Sequence, residues 1–116
     1  MSRFGRAPVR AARRDTNEPQ VIAALEAAGA AVQQLDPPLP DLLVNHKGRL
    51  YLLEVKDRDA GKETRAAKRR NHSEGMPPAL TEQQVAWWRS WEERGGTPPT
   101  VVLDAAEALA AIGATP

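Results

Sequence analysis

The apolar positions change period several times along the chain, and each change marks an element. Val21, Ile22, Leu25 and Ala28 recur at helical spacing behind Asp15-Thr16-Asn17, three residues that favour a helix N-cap. Glu18 falls in the first turn, where a carboxylate suits the helix dipole and Pro19 is tolerated. Gly29 stands where a glycine ends a helix. The spacing predicts a helix over about Asn17–Ala28. Ala31–Leu35 reads as a short strand. It is stopped by Asp36-Pro37-Pro38-Leu39-Pro40, whose prolines cannot sit inside a sheet. Asp41–Val44 reads as a second strand, Asn45-His46-Lys47-Gly48 as a turn, and Leu50–Lys56 as a third strand. The third is nearly continuous in apolar residues, the pattern of a strand covered on both faces. The second and third strands should pair as an antiparallel hairpin.

Residues 57–79 read as irregular, charged at first and then broken by Gly75, Pro77 and Pro78, with a helical turn fitting Glu63–Arg70. Thr81 caps a second helix whose buried stripe is Leu80, Gln84, Trp87, Trp88 and Trp91, and Gly95-Gly96 end it. Val101–Leu103 gives a fourth strand, and Asp104 caps a final alanine-rich helix ending at Gly113. The order is helix, three strands, helix, strand, helix. It predicts one α/β domain over residues 16–116, a mixed sheet flanked by helices, behind a flexible basic arm at 1–15.

Composition narrows the function. The chain has 116 residues, 41% of them hydrophobic, which suits one globular core. No apolar run approaches the ~20 residues of a membrane span, and the N-terminal arginines have no apolar stretch behind them, so neither a membrane anchor nor a secretory signal is expected. The absence of cysteine excludes disulfides, thiolate zinc sites, iron–sulfur clusters and cysteine nucleophiles, and fits a cytoplasmic setting. Two histidines, His46 and His72, fall in turn or loop contexts and are read as non-catalytic. Net charge is only +1, but ten of the sixteen basic residues stand in two blocks. One is Arg3, Arg6, Arg10, Arg13 and Arg14; the other is Lys62, Arg65, Lys68, Arg69 and Arg70.

The candidate chemistry lies at the end of the third strand, in Glu54-Val55-Lys56. Glu54 and Lys56 leave the same face of the sheet, and burying such a pair beside a core strand is costly unless it has a use. Asp41 opens the partner strand directly after Pro40, and a hairpin of this length brings it near Glu54. Two carboxylates, completed by waters and phosphate oxygens, are how Mg²⁺ is usually held. A lysine beside such an ion can orient or deprotonate the attacking water.

Pro40-Asp41…Glu54-Val55-Lys56 resembles the PD-(D/E)XK nuclease motif, and its flanks resemble the VRR-NUC branch, which is similar to Holliday junction resolvases. Glu18…Gly29-Ala30-Ala31-Val32 and Leu80-Thr81-Glu82-Gln83-Gln84…Gly95…Val101-Val102-Leu103 extend the resemblance over roughly residues 16–112. It implies a restriction-endonuclease-like αβββαβ core and Mg²⁺- or Mn²⁺-dependent hydrolysis of DNA. Asp41, Glu54 and the Val55 carbonyl would bind metal, Lys56 would handle the attacking water, and Glu18 and Gln84 would complete the site, with Gln83 as the alternate to Gln84. Glu18 is also counted among the implied metal ligands. Families of this branch often show Gly-x-Pro-Asp; this chain has Pro38-Leu39-Pro40-Asp41.

Beside a nuclease site the basic blocks gain a use as phosphate contacts, by Arg13 and Arg14 of the arm and by Lys62, Arg65, Lys68, Arg69 and Arg70. Relatives of this size are often viral and dimeric, which implies a phage protein in the host cytoplasm, and a homodimer that suits branched DNA. Trp87, Trp88 and Trp91 read as core or subunit interface rather than as base-stacking platforms. Adjacent tryptophans point about 100° apart, so one is expected to be exposed unless a second subunit covers it. A non-catalytic nucleic-acid-binding module of the same fold is the competing reading. A regulatory interaction domain built on the tryptophan helix is a third.

Overall fold

Four helices and four strands form among residues 17–56, 65–77 and 79–114, the residues that the computed structural model describes. In chain order they are α1 (Glu18–Ala27), β1 (Ala31–Gln34), β2 (Leu42–His46), β3 (Arg49–Val55), α2 (Arg65–Ser73), α3 (Glu82–Glu93), β4 (Thr100–Val102) and α4 (Ala105–Ala111). The sheet runs β1-β2-β3-β4. β1–β2 and β2–β3 pair antiparallel and β3–β4 parallel. A parallel neighbour needs a long crossover, and here the chain passes through α2 and α3 to make it. This is the mixed α/β sheet flanked by helices that the pattern predicts. Arg13, Arg14 and Lys62 lie outside the described residues.

The β2–β3 hairpin turns in two residues, because Lys47 (φ 53°) and Gly48 (φ 81°) both adopt left-handed backbone. That turn matches the right-handed twist of the strands. β2 therefore continues through Asn45 and His46 instead of ending at Val44, and His46 is buried, paired with Arg49 in the register. Leu42 and Val44 point with Leu53 and Val55 to one face of the sheet. There they meet Val21 and Leu25 of α1, Ala108 of α4, and Ile112. Leu25, Leu42 and Leu53 are fully buried, each contributing about 1.5–3 kcal/mol of apolar burial.

The opposite face is covered only in part. Leu80, Val85 and Trp88 form a second cluster with Met76, Trp87 and Val101. Val101 lies opposite Glu54 in the register, so α3 covers the C-terminal end of β3. The beginning of β3 has no such cover, and Leu50 is 66% exposed. The expectation of a strand covered on both faces holds for the last residues of β3 alone.

Two further corrections concern the crossover. Residues 65–73 form a full helix where an irregular stretch with one helical turn was expected. A fully buried Asn71 secures its end. The Asn71 amide donates to the carbonyls of Pro77 (3.0 Å) and Leu80 (2.8 Å), which ties α2 to the start of α3. On α3, Val85 and Trp88 are buried, and Gln84, Trp87 and Trp91 are half-buried. Trp87 stacks on Trp91 at 5.2 Å, and Trp91 Nε1 donates to the Thr97 carbonyl at 2.7 Å. A Cβ at Gly96 would run into the Trp91 ring. No tryptophan is exposed: Trp87 packs on Trp91 and the second cluster, and the turn after α3 covers Trp91, so the cover expected from a second subunit is found within the chain. Among the described residues no helix is long and apolar enough to cross a membrane.

Candidate active site

The site forms where β3 ends. Asp41 closes the proline loop before β2, its carbonyl accepting from Leu35 N at 2.9 Å, with Pro40 fully buried behind it. The Leu42–Leu53 pairing places Asp41 across from Glu54. Its Oδ2 accepts the Val55 backbone N–H at 2.8 Å, so the carboxylate is fixed against the end of β3. Lys56 extends the strand by one bond, donating its N–H to the Val102 carbonyl at 2.9 Å.

Glu54 is 1% exposed. Its Oε2 receives Gln84 Nε2 at 2.7 Å and the Lys56 ammonium at 3.3 Å, and Lys56 Nζ also reaches Gln84 Oε1 at 3.4 Å. Its Oε1 is buried with no hydrogen-bond partner among the described residues. Burial first, and then the Asp41 charge, push the Glu54 carboxyl up to about 7; Lys56 and the Gln84 hydrogen bond pull the other way without cancelling them. The cluster therefore has a surplus of negative charge, placed beside an unsatisfied oxygen.

Glu18 is buried at the start of α1, and its Oε2 accepts from Gln34 Nε2 at 3.1 Å. Gln34 directly precedes Leu35, the backbone partner of Asp41. Asp41, Glu54, Lys56 and Gln84 are thus joined around one point, and Glu18 is bound to the strand end beside the proline loop. Gln83, the alternate to Gln84, is exposed.

A divalent cation fits this set. Among the described residues no group of three or more His, Cys, Asp or Glu gathers as a closed cage. Two carboxylates are nevertheless enough for Mg²⁺, which keeps several waters and prefers hard oxygen ligands. The partnerless Glu54 Oε1 is such an oxygen.

Of the basic block on α2, Arg69 is exposed. Arg70 is half-buried, donating Nε and Nη2 to Asn71 Oδ1 at 3.0 and 2.9 Å. Its guanidinium is therefore partly engaged within the chain. Arg65 and Lys68 share the helix.

Two contributing residues, Asn17 and Gln34, were not legible as such. Asn17 makes no side-chain cap; its Nδ2 donates to the carbonyls of Leu103 (2.6 Å) and Lys56 (3.4 Å), clamping the ends of β4 and β3. Gln34 engages Glu18. Neither contact leaves a local signal, because the partners are distant in sequence. Thr81 is different. The spacing Thr81-x-x-Gln84 is that of a capping box, and the box is formed: Thr81 Oγ1 accepts Gln84 N, and Gln84 Oε1 accepts Thr81 N.

No family model matches the chain, and no curated protein matches it. A solved structure described as a VRR_NUC domain does, with a TM-score of 0.51 and 22% sequence identity over 84% of this chain and 96% of that one. The chain therefore has the fold of a VRR_NUC domain, the fold that the resemblance in sequence implies.

Proposed function

We propose that the chain is a VRR-NUC-type DNA endonuclease that hydrolyses phosphodiester bonds with Mg²⁺ or Mn²⁺. The observation that carries this reading is the joined cluster of Asp41, Glu54, Lys56 and Gln84 with a buried, partnerless Glu54 oxygen, standing on a VRR_NUC fold. Asp41 and Glu54 would hold the ion with the Val55 carbonyl, and Glu18 would support the same end of the sheet. Bound there, a divalent cation supplies positive charge to the phosphate and acidity to the attacking water.

The chain's own residues do the rest. The Lys56 side chain is 14% exposed and its ammonium contacts Glu54 and Gln84, which leaves one of its three N–H donors for a further partner. It is placed to orient the attacking water as the ammonium, or to receive its proton as the neutral amine. Gln84 holds the Glu54 carboxylate still. Asn17 grips the Lys56 carbonyl, which limits movement of the strand end that carries both groups. Branched DNA is the proposed substrate, and a homodimer would bring two sites to two strands of a junction. The host cytoplasm of a phage is the proposed setting.

The test offers purified protein a panel of junction, flap, splayed and linear duplex DNAs with Mg²⁺, Mn²⁺ or EDTA. Metal-dependent cleavage strongest on the branched substrates is expected. Salt-sensitive binding without cleavage under any metal would leave the binding-module reading in its place.

The basic block contributes affinity in this scheme. Replacing Arg65, Lys68 and Arg69 by alanine should weaken DNA binding, each lost phosphate contact reducing the slope of log K against log salt by about 0.9 on duplex DNA. Arg70→Ala should change the slope less than Arg69→Ala, because the Arg70 guanidinium is already held by Asn71. Titrations at several salt concentrations read both effects; equal slopes for all variants and wild type would remove α2 from the interface.

A further inference from the structure

Gln84 has one amide and three neighbours that demand different things of it. The Thr81 backbone N–H and the Lys56 ammonium can only donate, so they require the carbonyl oxygen. Glu54 Oε2 has no proton to offer when ionised, so it requires the NH₂ group. The three contacts agree on one orientation: Oε1 toward Thr81 and Lys56, Nε2 toward Glu54. Of these neighbours, Lys56 and Glu54 belong to the site, and both are bound to other groups. Thr81 lies on the far side of Gln84, and its contact at 2.9 Å comes from rigid backbone at the N-cap of α3.

We propose that Thr81 is a positioning residue of the site: its backbone N–H fixes the rotation of the Gln84 carboxamide, which then engages one oxygen of Glu54 and leaves the other open for a cation. The inference rests on the metal-dependent reading above and deepens it. An amide tied only to Lys56 and Glu54 would be free to turn with those side chains whenever DNA or an ion drew them away. Tied to the helix N-cap, it keeps its donor aimed at Glu54. A capping box ordinarily satisfies helix-end donors and nothing else. This one has its Gln side chain extended to a buried carboxylate as well. The second box-like cap, where Asp104 Oδ1 accepts Glu107 N and Glu107 Oε1 accepts Leu103 N, starts α4 and serves as a control away from Glu54.

The test measures Mn²⁺ affinity without DNA, by calorimetry, on the full chain. Thr81→Pro removes the N–H at a residue whose φ of −73° a proline can adopt. Thr81→Ala removes the hydroxyl and keeps the N–H. Thr81→Pro and Gln84→Ala are each expected to weaken Mn²⁺ binding about tenfold, the lower end for groups that orient a metal ligand. The double variant should be no weaker than Gln84→Ala alone, because Thr81 acts through Gln84. Thr81→Ala and Asp104→Ala should lower the melting temperature through lost caps and leave Mn²⁺ affinity within about twofold. Independent losses in the double variant, or wild-type affinity in Thr81→Pro, would overturn the proposal.

Hydrogen exchange at the Thr81 amide keeps the proposal open to refutation if Thr81→Pro fails to fold. Thr81 is exposed, and among the described residues the acceptor of its N–H is Gln84 Oε1. Slow exchange in wild type that becomes fast in Gln84→Ala is expected, and fast exchange in wild type would end the idea. Wild-type protein that takes up no Mn²⁺ would instead sink the metal-dependent reading, with the exchange result still deciding whether Thr81 holds Gln84.

Discussion

Asp41→Asn and Glu54→Gln should each reduce metal-dependent DNA cleavage by about a thousandfold or more, since a carboxamide keeps the shape of the carboxylate and removes the charge that holds a hard cation. The two variants should differ in stability. Asp41→Asn retains an oxygen to accept the Val55 N–H, so the strand end stays closed. Glu54→Gln removes a charge that is 1% exposed and repelled by Asp41, so the metal-free protein should melt higher than wild type at pH 8. Loss of function with gain of stability is what a residue kept for chemistry shows. Cleavage assays with Mg²⁺ and Mn²⁺ beside thermal melts in EDTA check both halves. Full cleavage by either variant, or equal cleavage by wild type in EDTA, would remove these carboxylates from the reaction.

Metal-free wild-type protein should lose stability as pH rises from about 4.5 to about 7, and a divalent cation should restore it. The sign follows from Glu54, whose carboxyl moves from an ordinary 4.5 to about 7 in the folded chain, chiefly through burial and then through Asp41. Between those values the folded state holds a proton that the unfolded state has released, so raising the pH favours unfolding, and the loss is complete above about 7. Its size is on the order of 3 kcal/mol, or roughly 10 °C in melting temperature for a domain of this length. A cation relieves the same repulsion that the proton relieves, so Mg²⁺ or Mn²⁺ should raise the melting temperature more at pH 8 than at pH 5. Glu54→Gln should flatten the pH dependence and abolish the metal effect. A wild-type melting temperature equal at pH 5 and pH 8 in EDTA would contradict the electrostatics of the cluster.

How much of this was visible beforehand follows from how far apart the interacting residues are in sequence. Asp41 and Glu54 sit on neighbouring strands of one hairpin, so alternation and a short turn were enough to bring them together. Thr81 and Gln84 are three residues apart, and their cap could be read from spacing. Leu50 was read as covered because its neighbours are apolar, yet cover depends on where α3 lands, and α3 lands on Val101. His46 was assigned to the turn because Asn, Lys and Gly surround it; Lys47 and Gly48 make the turn by themselves, which leaves His46 in the strand. Residues 65–73 look polar enough to be loop, and their helix is secured by Asn71 through bonds to Pro77 and Leu80. Asn17 was read as an N-cap from its residue type. Its real partners, Lys56 and Leu103, are 39 and 86 residues away, and no local pattern encodes them.

The parallel pairing of β3 with β4 has a consequence for when the protein becomes competent during its synthesis. The hairpin with Asp41, Glu54 and Lys56 is made early and needs only nearby chain to form. The N–H of Lys56 finds its acceptor in Val102, and Asn17 closes on Leu103, 86 residues further on. A nascent polypeptide stopped before β4 therefore carries the charged residues without the strand and clamp that fix them. The strand end is finished only after β4 and Leu103 have left the ribosome, so a product that stops before them cannot assemble it.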